Sequence, residues 1–121
     1  MLNLGEVRME QGDFNRAADV IKESIVLNRE IGSSWDICDL LEEIAYVAGG
    51  KGRPADGAKL FGAAHALREL LGAPVPPTEV PAFERRLGTV RDALDADTFE
   101  AAWDEGLAMD EDAAVVFALT Q

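Results

Sequence analysis

"AKLFGAAHALRELLGAPVPP", residues 58–77, is a run of small and apolar side chains that ends on Gly72 and then places three prolines within five residues. Gly57, Phe61, Ala64, Leu67 and Leu71 recur at helical spacing, and Leu60, Ala63, Leu67 and Leu70 form a second row beside them. Two adjoining apolar rows make a broad face, so this helix is expected to pack on two sides. Pro54 suits the first helical position, where its missing N–H would have had no partner. Gly72 suits a left-handed residue just past the end, with Pro74 enforcing the stop. The spacing therefore predicts a helix over about 54–71, whose small residues let neighbours approach and whose glycine turns the chain.

The same periodicity predicts helices near 1–11, 14–31, 34–48, 79–94, 97–106 and 110–119, about seven in all. Start signals accompany several of them: Ser33 or Ser34 before Trp35, Thr78 before the fifth helix, Asp97 with Glu100 as a capping box, and Asp110 opening an acidic first turn. Strand-like alternation bounded by turns appears nowhere in the sequence, so the expected fold class is all-α. Slid by 40 residues, the chain matches itself without a gap. Gly12 falls on Gly52, Phe14 on Pro54, Ala17-Ala18 on Gly57-Ala58, Val20-Ile21 on Leu60-Phe61, Ser24 on Ala64, Leu27 on Leu67 and Gly32 on Gly72. The expected unit is a helical hairpin used twice, over about 1–32 and 33–72, in an antiparallel stack closed by capping helices over about 78–119.

Composition narrows the possible work. At 121 residues the chain is one domain, and 11 Lys and Arg against 23 Asp and Glu leave a formal net charge of −12. Such a field repels phosphate backbones and anionic lipid, so neither nucleic acid nor a membrane surface is an expected partner. Cys38 is the only cysteine and cannot form an internal disulfide. No stretch approaches the roughly 18 consecutive apolar residues of a membrane span. Charges throughout the first twenty residues do not read as a signal peptide, and a cytoplasmic location is expected.

"LGEVRMEQGDFNRAADVIKES", residues 4–24, resembles a tetratricopeptide repeat: Leu4-Gly5 in the first helix, Gly12-Asp13-Phe14 at the turn, and Ala17, Ile21 and Ser24 at the packing positions of the second. Ile44, Ala45, Gly52, Gly57, Phe61 and Ala64 fill the same places in the second copy. Its period of 40 exceeds the usual value of about 34, which implies longer helices. The string of residues 58–77, followed by "FERRLGTVRDAL", "FEAAWDEGLAM" and "EDAAVVFAL", is similar to the C-terminal helical-repeat region of large bacterial signal-responsive transcription regulators of the LuxR type and related ATPase-containing activators. The resemblance implies an upstream ATPase domain and, in many members, a DNA-binding helix-turn-helix. This sequence has no GxxxxGK[ST] phosphate loop, so neither activity transfers to any of its residues. In the repeat frame Met1 stands at the fourth position of its helix, without a cap, which suggests a fragment of a longer regulator; a natural start with a short first helix is the alternative.

Few residues suggest chemistry. His65 has no second histidine or cysteine at helical spacing to share a metal and reads as a partly exposed structural residue. Cys38, beside Ile37 and Leu41 with no Lys, Arg or His nearby in sequence, reads as a small buried hydrophobe. The acids at 110–112 suit a helix start and lack the EF-hand pattern. Trp103, four residues after Phe99, reads as core. Trp35 reads as a cover for the hairpin junction or as a partner anchor. What remains is a concave face on which Glu6, Met9, Glu10, Glu42 and Tyr46 would present acids with apolar footholds to a protein or peptide, including other domains of the same parent chain. The sequence is expected to encode a non-enzymatic interaction or sensor segment with no cofactor and no metal. The alternative is a free-standing acidic adaptor for a basic peptide.

Overall fold

The computed structural model describes residues 11–121, with side chains from residue 13 onward. Among them are six α-helices and one 3-10 turn, and no strand: α1 (Gln11–Ile31), α2 (Ser34–Gly50), α3 (Pro54–Leu71), α4 (Val80–Asp92), α5 (Ala96–Leu107) and α6 (Glu111–Leu119), with the 3-10 turn at Pro77–Glu79. The expected helix over 1–11 lies outside the described residues. Gly12, Asp13 and Phe14 do not form the expected turn, because α1 is already helical there. Asp13 pairs with Arg16, three residues further along α1. Phe14 packs edge-on against Tyr46, and a side chain at Gly50 would run into its ring.

Three helices end in the same way. Gly32, Gly52 and Gly72 follow α1, α2 and α3 with φ of 73°, 83° and 65°. In each case the next residue donates its N–H five residues back: Ser33 to Asn28 at 2.9 Å, Arg53 to Ala48 at 2.9 Å and Ala73 to Arg68 at 2.9 Å. This is the Schellman closure, which satisfies carbonyls that the helix leaves open and needs a residue tolerant of positive φ. Because the links between α1, α2 and α3 are so short, the successive helices are antiparallel neighbours.

Helix α3 sits at the centre and packs most extensively on α2 and α5. Glycines make both approaches close. A Cβ at Gly57 would stand 2.7 Å from the Ala45 carbonyl on α2, and one at Gly62 or Gly106 would enter the backbone of the facing helix at Trp103 or Lys59. The two-sided packing read from the apolar rows is therefore what the chain does. One core runs through all six helices, with Ile25, Ile37, Leu41, Ile44, Leu60, Phe61 and Val90 almost wholly removed from solvent. Helix α4 lies on α2 and α3, and α6 rests against α3, α2 and the flank of α1.

The caps correct two expectations. Asp95, not Asp97, caps α5: its carboxylate accepts the Thr98 N–H at 2.7 Å, so the helix starts at Ala96. Thr78 falls inside the 3-10 turn and caps nothing; α4 starts at Val80 behind Glu79, without a side-chain cap. Ser33 holds the cap position of α2, but its hydroxyl donates to Asp36 at 2.6 Å instead of accepting a backbone N–H. Asp110 does cap α6, accepting from Ala113 N–H at 2.8 Å.

Candidate functional site

Glu42 and Tyr46, one turn apart on α2, are the two members of the expected acidic face that fall among the described residues; Glu6, Met9 and Glu10 lie outside them. Both are largely buried. Arg68 of α3 donates to Glu42 twice, Nε to Oε2 at 2.7 Å and a terminal nitrogen to Oε1 at 2.9 Å. It also donates to Asp39 at 2.6 Å and to the Ala73 carbonyl at 3.0 Å, so this guanidinium locks the α2–α3 hairpin and the exit of α3 together. Burial pushes the Glu42 carboxyl up from its ordinary value and the hydrogen bonds from Arg68 pull it back. Glu42 is thus committed to an internal pair.

Next along α2, burial also raises the Glu43 carboxyl, and the nearby Arg86 opposes the shift. The Arg86 guanidinium lies 5.7 Å from the centre of the Tyr46 ring, a cation–π distance. Tyr46 is therefore covered by Phe14 on one edge and Arg86 above. A hollow of about 300 Å³ lies between α2 and α4, bordered by Glu42, Glu43, Val75, Phe83 and Arg86.

The other singled-out residues are placed as follows. His65 Nε2 is 2.9 Å from Glu69, and its ring lies 5.4 Å from that of Trp103, which packs in turn on Phe99 at 5.9 Å. Cys38 is fully buried. Burial pushes its thiol up to about 11, outweighing the opposing charge of Arg68. A cation does lie close to this cysteine, one the sequence spacing did not reveal. Trp35 is 62% exposed. Glu111 and Asp112 pair with Arg29 of α1, and Glu111 also accepts from Ser34 at 2.6 Å, so these acids fasten α6 to the α1–α2 turn.

Sequence reasoning missed Arg68 as an organising residue. Its only local sign is a charge inside an apolar helix face, and its carboxylate partners lie 26 and 29 residues away. Among the described residues no group of three His, Cys, Asp or Glu side chains is arranged to hold a metal ion, and no helix is long and apolar enough to cross a membrane.

No protein-family model matches the chain, and no solved structure does. Three curated proteins match, from two strains of Mycobacterium tuberculosis and one of Mycobacterium bovis, all carrying the provisional name HTH-type transcriptional regulator. Each is 27% identical over 112 residues, which is 93% of this chain and 13% of the relative. The chain thus spans a small share of the length of the curated relatives it matches. It is a distant homologue of one segment of these regulators, and its described residues form helices and turns without a strand.

Proposed function

We propose that this chain is a non-catalytic interaction or scaffold module of a signal-responsive transcription regulator of the LuxR type, built from tetratricopeptide-like hairpins. The observation that carries this reading is the alignment of nearly the whole chain with a short segment of a much larger regulator. The fold agrees with it: α1, α2 and α3 end in the same closure at 20-residue intervals, as Gly32, Gly52 and Gly72 show, and stack as antiparallel neighbours. A net charge of −12 favours DNA reading by some other part of such a regulator.

The discriminating experiment is to read the coding sequence on both sides of residues 1–121 and to test the purified chain against duplex DNA at low salt. An upstream phosphate loop and no DNA binding support the proposal. A reading frame confined to these residues would replace it with the free-standing acidic adaptor, for which the −12 charge is the favouring observation. DNA binding by the chain alone would overturn both.

A further inference from the structure

Among the described residues, no helix covers the face of α1 that exposes Val20, Val26 and Leu27. The 40-residue match allows α1 and α3 to be compared position by position. Val20 is 62% exposed where Leu60 is 0%, and Leu27 is 60% exposed where Leu67 is 6%. Among the described residues the difference lies in the neighbours: α3 is held between α2 and α5, whereas α1 packs on α2 and is only grazed by α6. Helix α5 approaches α3 closely at Lys59, Gly62 and Ala63. The matching positions on α1 are Asp19, Lys22 and Glu23. There the surface forms an open groove of about 570 Å³ lined by Lys22, Glu23, Val26, Leu27 and Leu119.

The residues in the groove state what would fit it. Val26, Leu27 and Leu119 are apolar and at least one-third exposed, which suits the apolar stripe of an amphipathic helix. Lys22 is already paired with Asp19 at 3.7 Å. Glu23, which stands where α3 has the small Ala63, has no hydrogen bond or ion pair among the described residues. A helix laid in the groove would desolvate that carboxylate, and an unpaired buried charge is costly, so the incoming helix must present a cation to it. A second copy of this chain, itself at −12, would be repelled. Residues 1–10 offer one cation, Arg8, against two acids, Glu6 and Glu10.

From this geometry we infer that the groove on α1 lined by Glu23, Val26, Leu27 and Leu119 docks a basic amphipathic helix of a partner protein. The inference rests on the interaction-module reading, but its assay addresses the surface alone, so its failure would leave the reading-frame result untouched.

The probe is a synthetic amphipathic helix of leucine and lysine, titrated against the full chain by fluorescence anisotropy beside a scrambled peptide of the same composition. Leu27→Asp adds an acid that should attract the peptide, yet it removes the apolar anchor; it is expected to weaken binding about tenfold or more. Glu23→Gln should weaken it several-fold, while Glu100→Gln, the same charge change on exposed α5, should leave it unchanged. Each variant's helical circular dichroism should match wild type, since all three side chains are exposed.

Equal binding of the scrambled peptide, or equal loss for Glu23→Gln and Glu100→Gln, would overturn the inference in favour of unspecific charge attraction. A wild-type dimer in sedimentation that Leu27→Asp dissolves would name a second copy as the occupant instead. A spin label at position 4 that broadens Leu27 resonances in the free chain would show residues 1–10 filling the groove. Both results would also overturn the inference.

Discussion

Arg68 holds Glu42 across 26 residues of chain through two hydrogen bonds, at 2.7 and 2.9 Å, with only 10% and 12% of the two side chains exposed. The pair ties α3 to α2, and its loss should be asymmetric. Arg68→Ala leaves a carboxylate buried without its partner and is expected to cost about 3 to 5 kcal/mol in urea unfolding. Arg68→Met combined with Glu42→Leu removes both charges and keeps the volume, so it should cost far less than Arg68→Ala alone. Equal costs for the two variants would show that the stranded Glu42 carboxylate does not account for the loss in Arg68→Ala.

The pH dependence of stability follows from two opposing kinds of carboxyl. Burial raises Glu43 above its ordinary value of 4.5, so the folded chain keeps that proton to higher pH than the unfolded chain does. Just above 4.5 the native state therefore binds more protons, and this group's contribution falls as pH rises through that window. Asp95 is shifted the other way, because its carboxylate accepts the backbone N–H of Thr98. Its contribution is present at neutral pH and is lost as pH falls below the ordinary aspartate range. Urea midpoints taken from pH 3 to 7, values set by the ordinary carboxylate range, should show a flatter decline on the upper side for Glu43→Gln and a flatter acid side for Asp95→Asn.

Cys38 should be silent until the chain opens. Its thiol is fully buried and pushed up to about 11, so a thiol reagent at mildly alkaline pH should react at a rate that follows denaturant concentration. Since the folded value lies above the ordinary 9.0, the folded chain binds the extra proton between the two, and stability should fall as pH rises from 9 towards 11. Modification of native chain at the rate of free cysteine would contradict the burial.

Glycines divide into two classes with different costs. At Gly32, Gly52 and Gly72 an added Cβ meets nothing within 4 Å, so alanine there should cost only the left-handed backbone penalty, about 1 to 2 kcal/mol. At Gly62 and Gly106 the Cβ would enter the backbone of the facing helix, and neither helix can yield without parting α3 from α5. Alanine at Gly106 should lower the thermal midpoint more than alanine at Gly52, and Gly62→Ala with Gly106→Ala should be non-additive because both act on one crossing.

By itself the sequence determined the local structure of this protein. Helix periodicity, Pro54 at a helix start, Gly72 at a helix end and the acid of Asp110 are all read within a few residues, because capping and turn chemistry act through neighbouring backbone groups. The same locality explains the near misses. Asp95 and Asp97 are both good caps two residues apart, and only the backbone path into α5 chose Asp95. Gly12 looked like a turn because glycine permits one, yet α1 runs through it.

Tertiary structure alone decided which charges are free. Glu42 read as an exposed acid on a repeat face, but Arg68 consumes it from another helix. Glu111 and Asp112 read as a dipole cluster, and they also join α6 to Arg29. Glu23 carried no signal in the sequence and, among the described residues, is left unpaired beside an apolar groove. Periodicity states which side chains share a helix face. Which neighbour covers that face depends on contacts between distant residues, and on close approaches such as Gly106 against Lys59 that emerge only when the helices pack.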